Sequence, residues 1–304
     1  TRRIKRLFEI MPGFVSWNLI LFPIWGGYFI PEVTAYFILT FVVYSVYRSF
    51  TLTLAVILSH FRIKAAQRMD WMKEVEGFGD WKRVKHMVVV LLANEPPEVA
   101  RRTIEALAEQ TFPLKQIAVV LATEGRIPAG AVAAETWRKD LGNKFGAYIV
   151  TSHPANLPGE IIGKSANENW AAREAKKILV DERGWDMQYM TVTSNDSDAV
   201  LDRQYFAYLT FKFLDDPNRY ERFWQPAIVF YKNIWRLPAA TRVVNTLSGI
   251  MNIGTLSRRD RLVSFSNYSA SLQMVDKIGY WDPDVIPEDY RIFFKAFFAL
   301  KGAV

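Results

Sequence analysis

Met87-Val88-Val89-Val90-Leu91-Leu92-Ala93-Asn94-Glu95-Pro96-Pro97 carries the first decision about the fold. An unbroken apolar run that stops at a polar loop and a proline pair reads as a strand buried on both faces. A helical pattern follows to Gln110, with Val99, Ile104 and Leu107 suggesting its apolar face. The alternation then recurs: 116–122 extended, 129–141 helical, 147–151 extended, 164–179 helical, and a strand from Met187 to Ser194. Repeated βα units imply an α/β domain with a mostly parallel sheet and right-handed crossovers. In such sheets ligands bind beyond the carboxyl ends of the strands.

The last of these strands runs into Thr191-Val192-Thr193-Ser194-Asn195-Asp196-Ser197-Asp198-Ala199-Val200. On an extended backbone positions i and i+2 project to the same side, so Asp196 and Asp198 can converge on one hard cation. The plainer alternative is a turn over Asn195, Asp196 and Ser197, with Asp198 capping a helix from Ala199 to Leu214.

Composition limits the chemistry. The 304-residue chain has no cysteine, which excludes disulfides, thiolate metal sites and a cysteine nucleophile. Its three histidines, His60, His86 and His153, are too dispersed for a histidine-built zinc site, so carboxylates must carry any metal. The net charge of +7 is not accompanied by a nucleic-acid-binding motif, and no nucleic-acid partner is expected.

The amino end reads as membrane. Uncharged residues from Met11 to Pro31, and an apolar stretch from Val33 to Phe61 interrupted by Arg48 and His60, are each about long enough for the roughly 20 residues a bilayer core requires. Trp17, Trp25, Tyr28 and Tyr36 suit interfacial positions. Arg2, Arg3, Lys5 and Arg6 precede the first span, and Arg62, Lys64 and Arg68 follow the second. The positive-inside rule then puts both ends, and the globular part, in the cytoplasm. A signal peptide or helices lying in the interface are the alternatives. Arg48 costs about 2.5–3.5 kcal/mol at mid-span, so it should face a partner helix or mark a break. The expected organisation is a transmembrane helical hairpin over 1–61, a juxtamembrane connector over 62–85, and the α/β domain over 86–304.

Four ordered motifs carry a family resemblance. Val88 to Pro96, Gly163-Lys164-Ser165-Ala166-Asn167, Asp196-Ser197-Asp198 and Glu288-Asp289-Tyr290 together resemble the family 2 glycosyltransferases, over about Lys85 to the end. With the apolar hairpin, the chain resembles the membrane-anchored, polysaccharide-synthase-like members. The resemblance implies a GT-A fold and inverting transfer of a sugar from a nucleotide-sugar, most simply a UDP-sugar. The implied acceptor is a glycan or lipid-linked hydroxyl at the cytoplasmic membrane face. Asp289 would be the catalytic base, with Glu288 orienting the site or touching the acceptor. Asn94, Glu95, Glu124, Lys164, Asn167 and Asp196 would contact the donor, and Asp196 and Asp198 would hold Mg²⁺ or Mn²⁺.

Each residue also has an ordinary structural reading. Asn94 and Glu95 could cap the helix before Pro96, Lys164 could be a solvated charge, and Glu288 and Asp289 are common first-turn acids of a helix such as 290–300. Trp224, Tyr268 and Trp281 are acceptor-side candidates as aromatic faces, or packing residues. Two departures stand out. The family's Asp after the second strand is replaced by Ala122-Thr123-Glu124, and no Gln-x-x-Arg-Trp motif follows the Glu-Asp pair. The native chain is expected to continue with further membrane helices. A nucleotidyltransferase, or a silent membrane subunit using the domain as a binding platform, are the rival classes.

Overall fold

The computed structural model describes residues 2–92, 95–230, 234–258 and 263–302. Two compact units emerge: Thr1–Arg62 with Phe230–Arg259, and Ile63–Val229 with Asp260–Val304.

In the first unit, α1 (Arg2–Phe29) and α2 (Pro31–Arg68) are both long and apolar enough to cross a membrane, and their large apolar side chains are exposed almost throughout. Pro12, Pro23 and the Gly26-Gly27 pair do not end α1. Gly26 has a packing role instead. A Cβ there would lie 2.6 Å from Thr34 Oγ1, so its absence lets the start of α2 close on the end of α1. The break considered at Arg48 does not occur. α2 runs through it, and Arg48 is half-buried with Nη1 lacking a hydrogen-bond partner.

The second unit holds α3 (Trp71–Val75), β1 (Lys85–Leu91), α4 (Pro97–Leu107), β2 (Ile117–Glu124), α5 (Pro128–Leu141), β3 (Ala147–His153), α6 (Lys164–Lys176), β4 (Met190–Asp196), α7 (Tyr205–Asp215) and β5 (Phe223–Trp224). Ala239–Thr255, α8, belongs to the first unit. After it the second unit resumes with β6 (Tyr268–Ser271), α9 (Leu272–Lys277) and α10 (Glu288–Ala299).

Among the described residues six strands form one sheet in the order β3-β2-β1-β4-β6-β5, with the first four parallel and β6 antiparallel to both neighbours. Alternation along β1 explains the two-sided core. Met87, Val89 and Leu91 pack with Ala171, Ala175 and Ile292 of α6 and α10. Val88 and Val90 pack with Ile104, Trp137 and Phe206 of α4, α5 and α7. Pro97 and Pro128 occupy the first helical positions of α4 and α5, where a missing N–H costs nothing. Chain order reverses between β2-β1 and β1-β4, which opens a crevice at the carboxyl ends there.

Several boundaries differ from the sequence reading. The strand expected to stop at Ser194 runs through Asp196, after a 3₁₀ turn at Met187–Tyr189. The helix expected from Ala199 starts only at Tyr205. Side chains capture the intervening backbone. The Asn195 amide donates to the Asp196 and Ala199 carbonyls, Thr103 Oγ1 donates to the Ser197 carbonyl, and Asp202 Oδ1 accepts from the Gln204 N–H. α6 passes at Lys177–Glu182 into a π-helical turn.

Candidate active site

The register of the sheet builds the site. Leu91, the last residue of β1, pairs with Asp196, the last residue of β4, and Glu124 of β2 pairs with His153 of β3. Four parallel strands therefore end along one rim. Glu95 is exposed just beyond β1, and Asn94 lies outside the described residues. Asp196 closes β4 half-buried, while Asp198 stands exposed in the following turn.

Lys164, the first residue of α6, reaches this rim. Its Nζ is 2.9 Å from Asp196 Oδ1 and 2.8 Å from Glu288 Oε1, and it donates to the Ser266 carbonyl at 3.3 Å. Burial works against the ammonium, but the Glu168, Asp196 and Glu288 carboxyls outweigh it and hold Lys164 above the usual lysine range. Glu288 lies buried in the first turn of α10 beside the half-exposed Asp289.

Ser266 joins the mid-chain and late acids. Its hydroxyl donates to Asp196 Oδ2 at 2.7 Å and its N–H to Asp289 Oδ2 at 3.0 Å. With φ of +55° it holds a backbone region that costs a non-glycine residue, so the two bonds help to stabilise a strained turn. Asn267 Oδ1 accepts from the Asp196 N–H at 2.7 Å and ends the β4 edge. Gln225 pins the segment by accepting from the Phe265 N–H and donating to the Phe265 and Asn267 carbonyls. The Ser264 hydroxyl donates to the Asp289 carbonyl, and the Tyr290 N–H donates to Asp289 Oδ1. Two backbone donors thus fix the direction of the Asp289 carboxylate.

Beneath Lys164, one helical turn along α6, Glu168 is fully buried. Neither of its oxygens, nor the Ser194 hydroxyl beside it, makes a well-formed hydrogen bond. Burial first, then the Glu288 and Asp196 charges, push this carboxyl up to about 8 against the opposing effects of Lys164 and Ser194.

Other expected residues are placed differently. Asn167 is buried, and its amide donates to the Ala122 carbonyl at 3.0 Å, fastening α6 to β2 rather than facing the crevice as a donor contact. Glu124 is buried at the end of β2, 3.2 Å from Arg126 Nε and 3.9 Å from His153 Nδ1. Tyr268 and Trp281 are each 1% exposed, with Trp281 Nε1 donating to Tyr268 Oη. Their rings fill the core, which removes them as acceptor platforms. Trp224 is half-buried against Phe213.

Sequence reasoning missed Glu168, Gln225, Ser266 and Asn267. Glu168 had a usable signal, since it follows Lys164 by four residues on the helix face that carries Ala171, Ala172 and Ala175. The segments around Gln225 and Ser266 attracted attention for their aromatics, whereas their polar members make the connections.

Among the described residues no group of three or more His, Asp or Glu side chains gathers into a metal cage. Asp198 nevertheless takes part in no hydrogen bond or ion pair among these residues, while both Asp196 oxygens are engaged. One available carboxylate, with a second beside it, fits a small divalent ion that draws most of its ligands from substrate phosphates and water.

No family model matches the chain, and no curated protein matches it significantly. Solved structures similar to it include a mannosyltransferase from Pyrobaculum calidifontis in complex with GDP-Man and Mn²⁺, with a TM-score of 0.49 and 16% identity, covering 83% of this chain and 60% of that one. Residues 1–349 of S. aureus TarS align with a TM-score of 0.41 and 16% identity, covering 70% of this chain and 55% of that one. TarS 1–349 in complex with UDP-GlcNAc gives a TM-score of 0.40 and 15% identity, over 70% and 53%. The chain thus spans about 60% of the length of the mannosyltransferase and roughly half of TarS 1–349.

Proposed function

We propose that the chain is a membrane-anchored glycosyltransferase of the family 2 type, moving a sugar from a nucleotide-sugar to an acceptor hydroxyl with inversion. The observation that carries this reading is the Ser266 bridge. It brings the acid at the end of β4 and the acid at the start of α10 to opposite sides of one residue at the strand-end rim. Direct displacement needs this convergence, because the base on the acceptor and the groups around the leaving diphosphate must act on one anomeric carbon.

In this reading Asp289, aimed by the Ser266 and Tyr290 N–H groups, takes the proton from the acceptor hydroxyl as that oxygen attacks. Lys164 offers a positive charge to the donor's phosphates, and Glu288 holds it in place. Asp198, with Asp196 beside it, would hold Mg²⁺ or Mn²⁺, which when bound offsets charge on the leaving nucleotide. Glu95 and Glu124, with Asn94, are proposed for the nucleoside side, where β1 and β2 end. α1 and α2 anchor the chain, with the catalytic unit at the cytoplasmic face.

Thermal-shift screening of the full chain in detergent against nucleoside diphosphates and nucleotide-sugars with Mn²⁺ tests the proposal. Stabilisation by one base series, followed by release of that nucleoside diphosphate on turnover, is the expected result. Release of pyrophosphate would move the assignment to nucleotidyl transfer, and absence of any stabilisation would leave a binding platform.

A further inference from the structure

A recess lies at the opposite end of the sheet from the rim that collects Lys164, Asp196 and Asp289, where β2 and β3 begin. Its volume is about 280 Å³, and Lys115, Arg138, Asn143, Tyr148 and Arg183 are among its walls. Among the described residues no Asp or Glu side chain lines it. Three separate segments each deliver a cation: the 3₁₀ turn before β2 brings Lys115, the last turn of α5 brings Arg138, and the end of the π-helical turn after α6 brings Arg183.

The way these cations are held leaves positive charge over. Lys115 Nζ donates to the Asn143 carbonyl at 2.6 Å and the Phe145 carbonyl at 3.4 Å, and Arg183 Nη1 donates to the Gly146 carbonyl at 3.3 Å. These acceptors are neutral, and among the described residues neither cation has a carboxylate partner. Arg138 differs, because Glu135 accepts from its Nε and Nη2 at 2.6 and 3.1 Å, so it forms wall rather than free charge. Gathering two cations on one short run of backbone costs Coulomb energy that an anion between them removes. The ammonium and the guanidinium both keep N–H donors in reserve, the donor set that phosphate oxygens accept from.

Two backbone features build the arrangement. A Cβ at Gly146 would run into the Lys115 carbonyl, so glycine lets the segments before β2 and β3 close on each other. The π-helical turn, in which the Arg183 N–H bonds the Ile178 carbonyl at 3.1 Å, carries Arg183 onto the Gly146 carbonyl. Such turns are rare and recur at functional sites.

We propose that this recess is a second anion site, taking a phosphate dianion, free or borne on a larger molecule, between Lys115 and Arg183 over the backbone of residues 143–146. It stands apart from the catalytic rim and does not rest on the glycosyl-transfer reading.

Hydrogen exchange on the full chain in detergent, with EDTA present and inorganic phosphate as the probe, tests it. Millimolar phosphate is expected to slow exchange at least about twofold in peptides covering 143–148 and 178–184, while sodium chloride at equal ionic strength does not. Lys115→Gln and Arg183→Gln, both at exposed side chains, should each weaken the apparent affinity by about tenfold with the parent's melting temperature retained, and Arg183→Lys should lose less. A second arm places the chain in phosphatidylcholine nanodiscs with and without phosphatidic acid. Protection by phosphatidic acid but not by free phosphate would support the site and assign its phosphate to a lipid headgroup; protection by free phosphate supports it with a soluble ligand. Protection confined to 164–168 and 264–267, full protection in both Gln variants, equal protection by chloride, or none from either source would overturn the proposal.

Discussion

Lys164 Nζ lies 2.8 Å from Glu288 Oε1, although the two residues are 124 positions apart in the chain. The contact ties the first residue of α6 to the first residue of α10, and through Asp196 to the end of β4. Replacing Lys164 by Met leaves Glu288 largely buried without its cation and Asp196 facing it. We expect a loss of about 1–3 kcal/mol in stability and at least about tenfold in nucleotide-sugar affinity. Denaturant unfolding and calorimetric titration measure the two. Unchanged donor affinity would remove Lys164 from the donor side.

For Asp289, substitution by Asn keeps the acceptor oxygen for the Ser266 N–H but withdraws the base. Turnover should fall by about 10²–10⁴-fold while donor binding persists. Turnover within about threefold of the parent, some 0.7 kcal/mol, would mean that another group takes the proton.

The buried Glu168 predicts a pH signature. Its carboxyl sits at about 8 in the fold against an ordinary 4.5, so between those values the folded chain keeps a proton that the unfolded chain has released. Stability therefore declines as pH rises from about 4.5 to about 8. Glu168→Gln removes this dependence, and its melting temperature relative to the parent should climb across that interval. A difference that stays flat with pH would show that no proton is held there.

His86 works in the opposite direction. It is fully buried between Thr191 and Thr210, and burial lowers it to about 3 from 6.5. Unfolding lets it take up a proton below about 6.5, so the stability from its neutral form is complete above that pH. It is lost as pH falls towards about 3, at up to about 1.4 kcal/mol per pH unit. Urea titrations of the parent and His86→Leu at pH 7 and pH 5 should show a shallower acid loss in the variant.

Because Trp281 and Tyr268 are core residues, Trp281→Phe should lower stability by about 1–3 kcal/mol through a void and an unpartnered Tyr268 hydroxyl. The acceptor KM should stay unchanged. A KM increase without destabilisation would restore the acceptor role.

These outcomes bear on what could be read before the structure. β1 and β2 were legible because unbroken runs such as Val88-Val89-Val90 fit only a strand covered on both faces, and a parallel sheet follows once helices intervene. Asp196 and Asp289 were legible as residue types in ordered motifs. The delayed start of α7 was not, because the Asn195, Thr103 and Asp202 side chains compete for backbone groups that a propensity pattern assigns to the helix. Trp281 and Tyr268 keep two readings in the sequence for a related reason: an aromatic ring fits a sugar and a core equally well, and only burial separates the two uses. The grouping of Phe230–Arg259 with the hairpin depends on contacts nearly two hundred residues apart, such as Ser59 with Ser257, which no local periodicity encodes.

The left-handed turn at Ser266 interlocks the two acids proposed for the two halves of the chemistry. A movement of that single residue removes one hydrogen bond from Asp196 and one from Asp289 together, so in the proposed roles neither the leaving-group side nor the attacking side is retuned alone. Evolution or engineering that reshapes residues 264–267 to admit a new acceptor is therefore expected to disturb the donor in the same stroke.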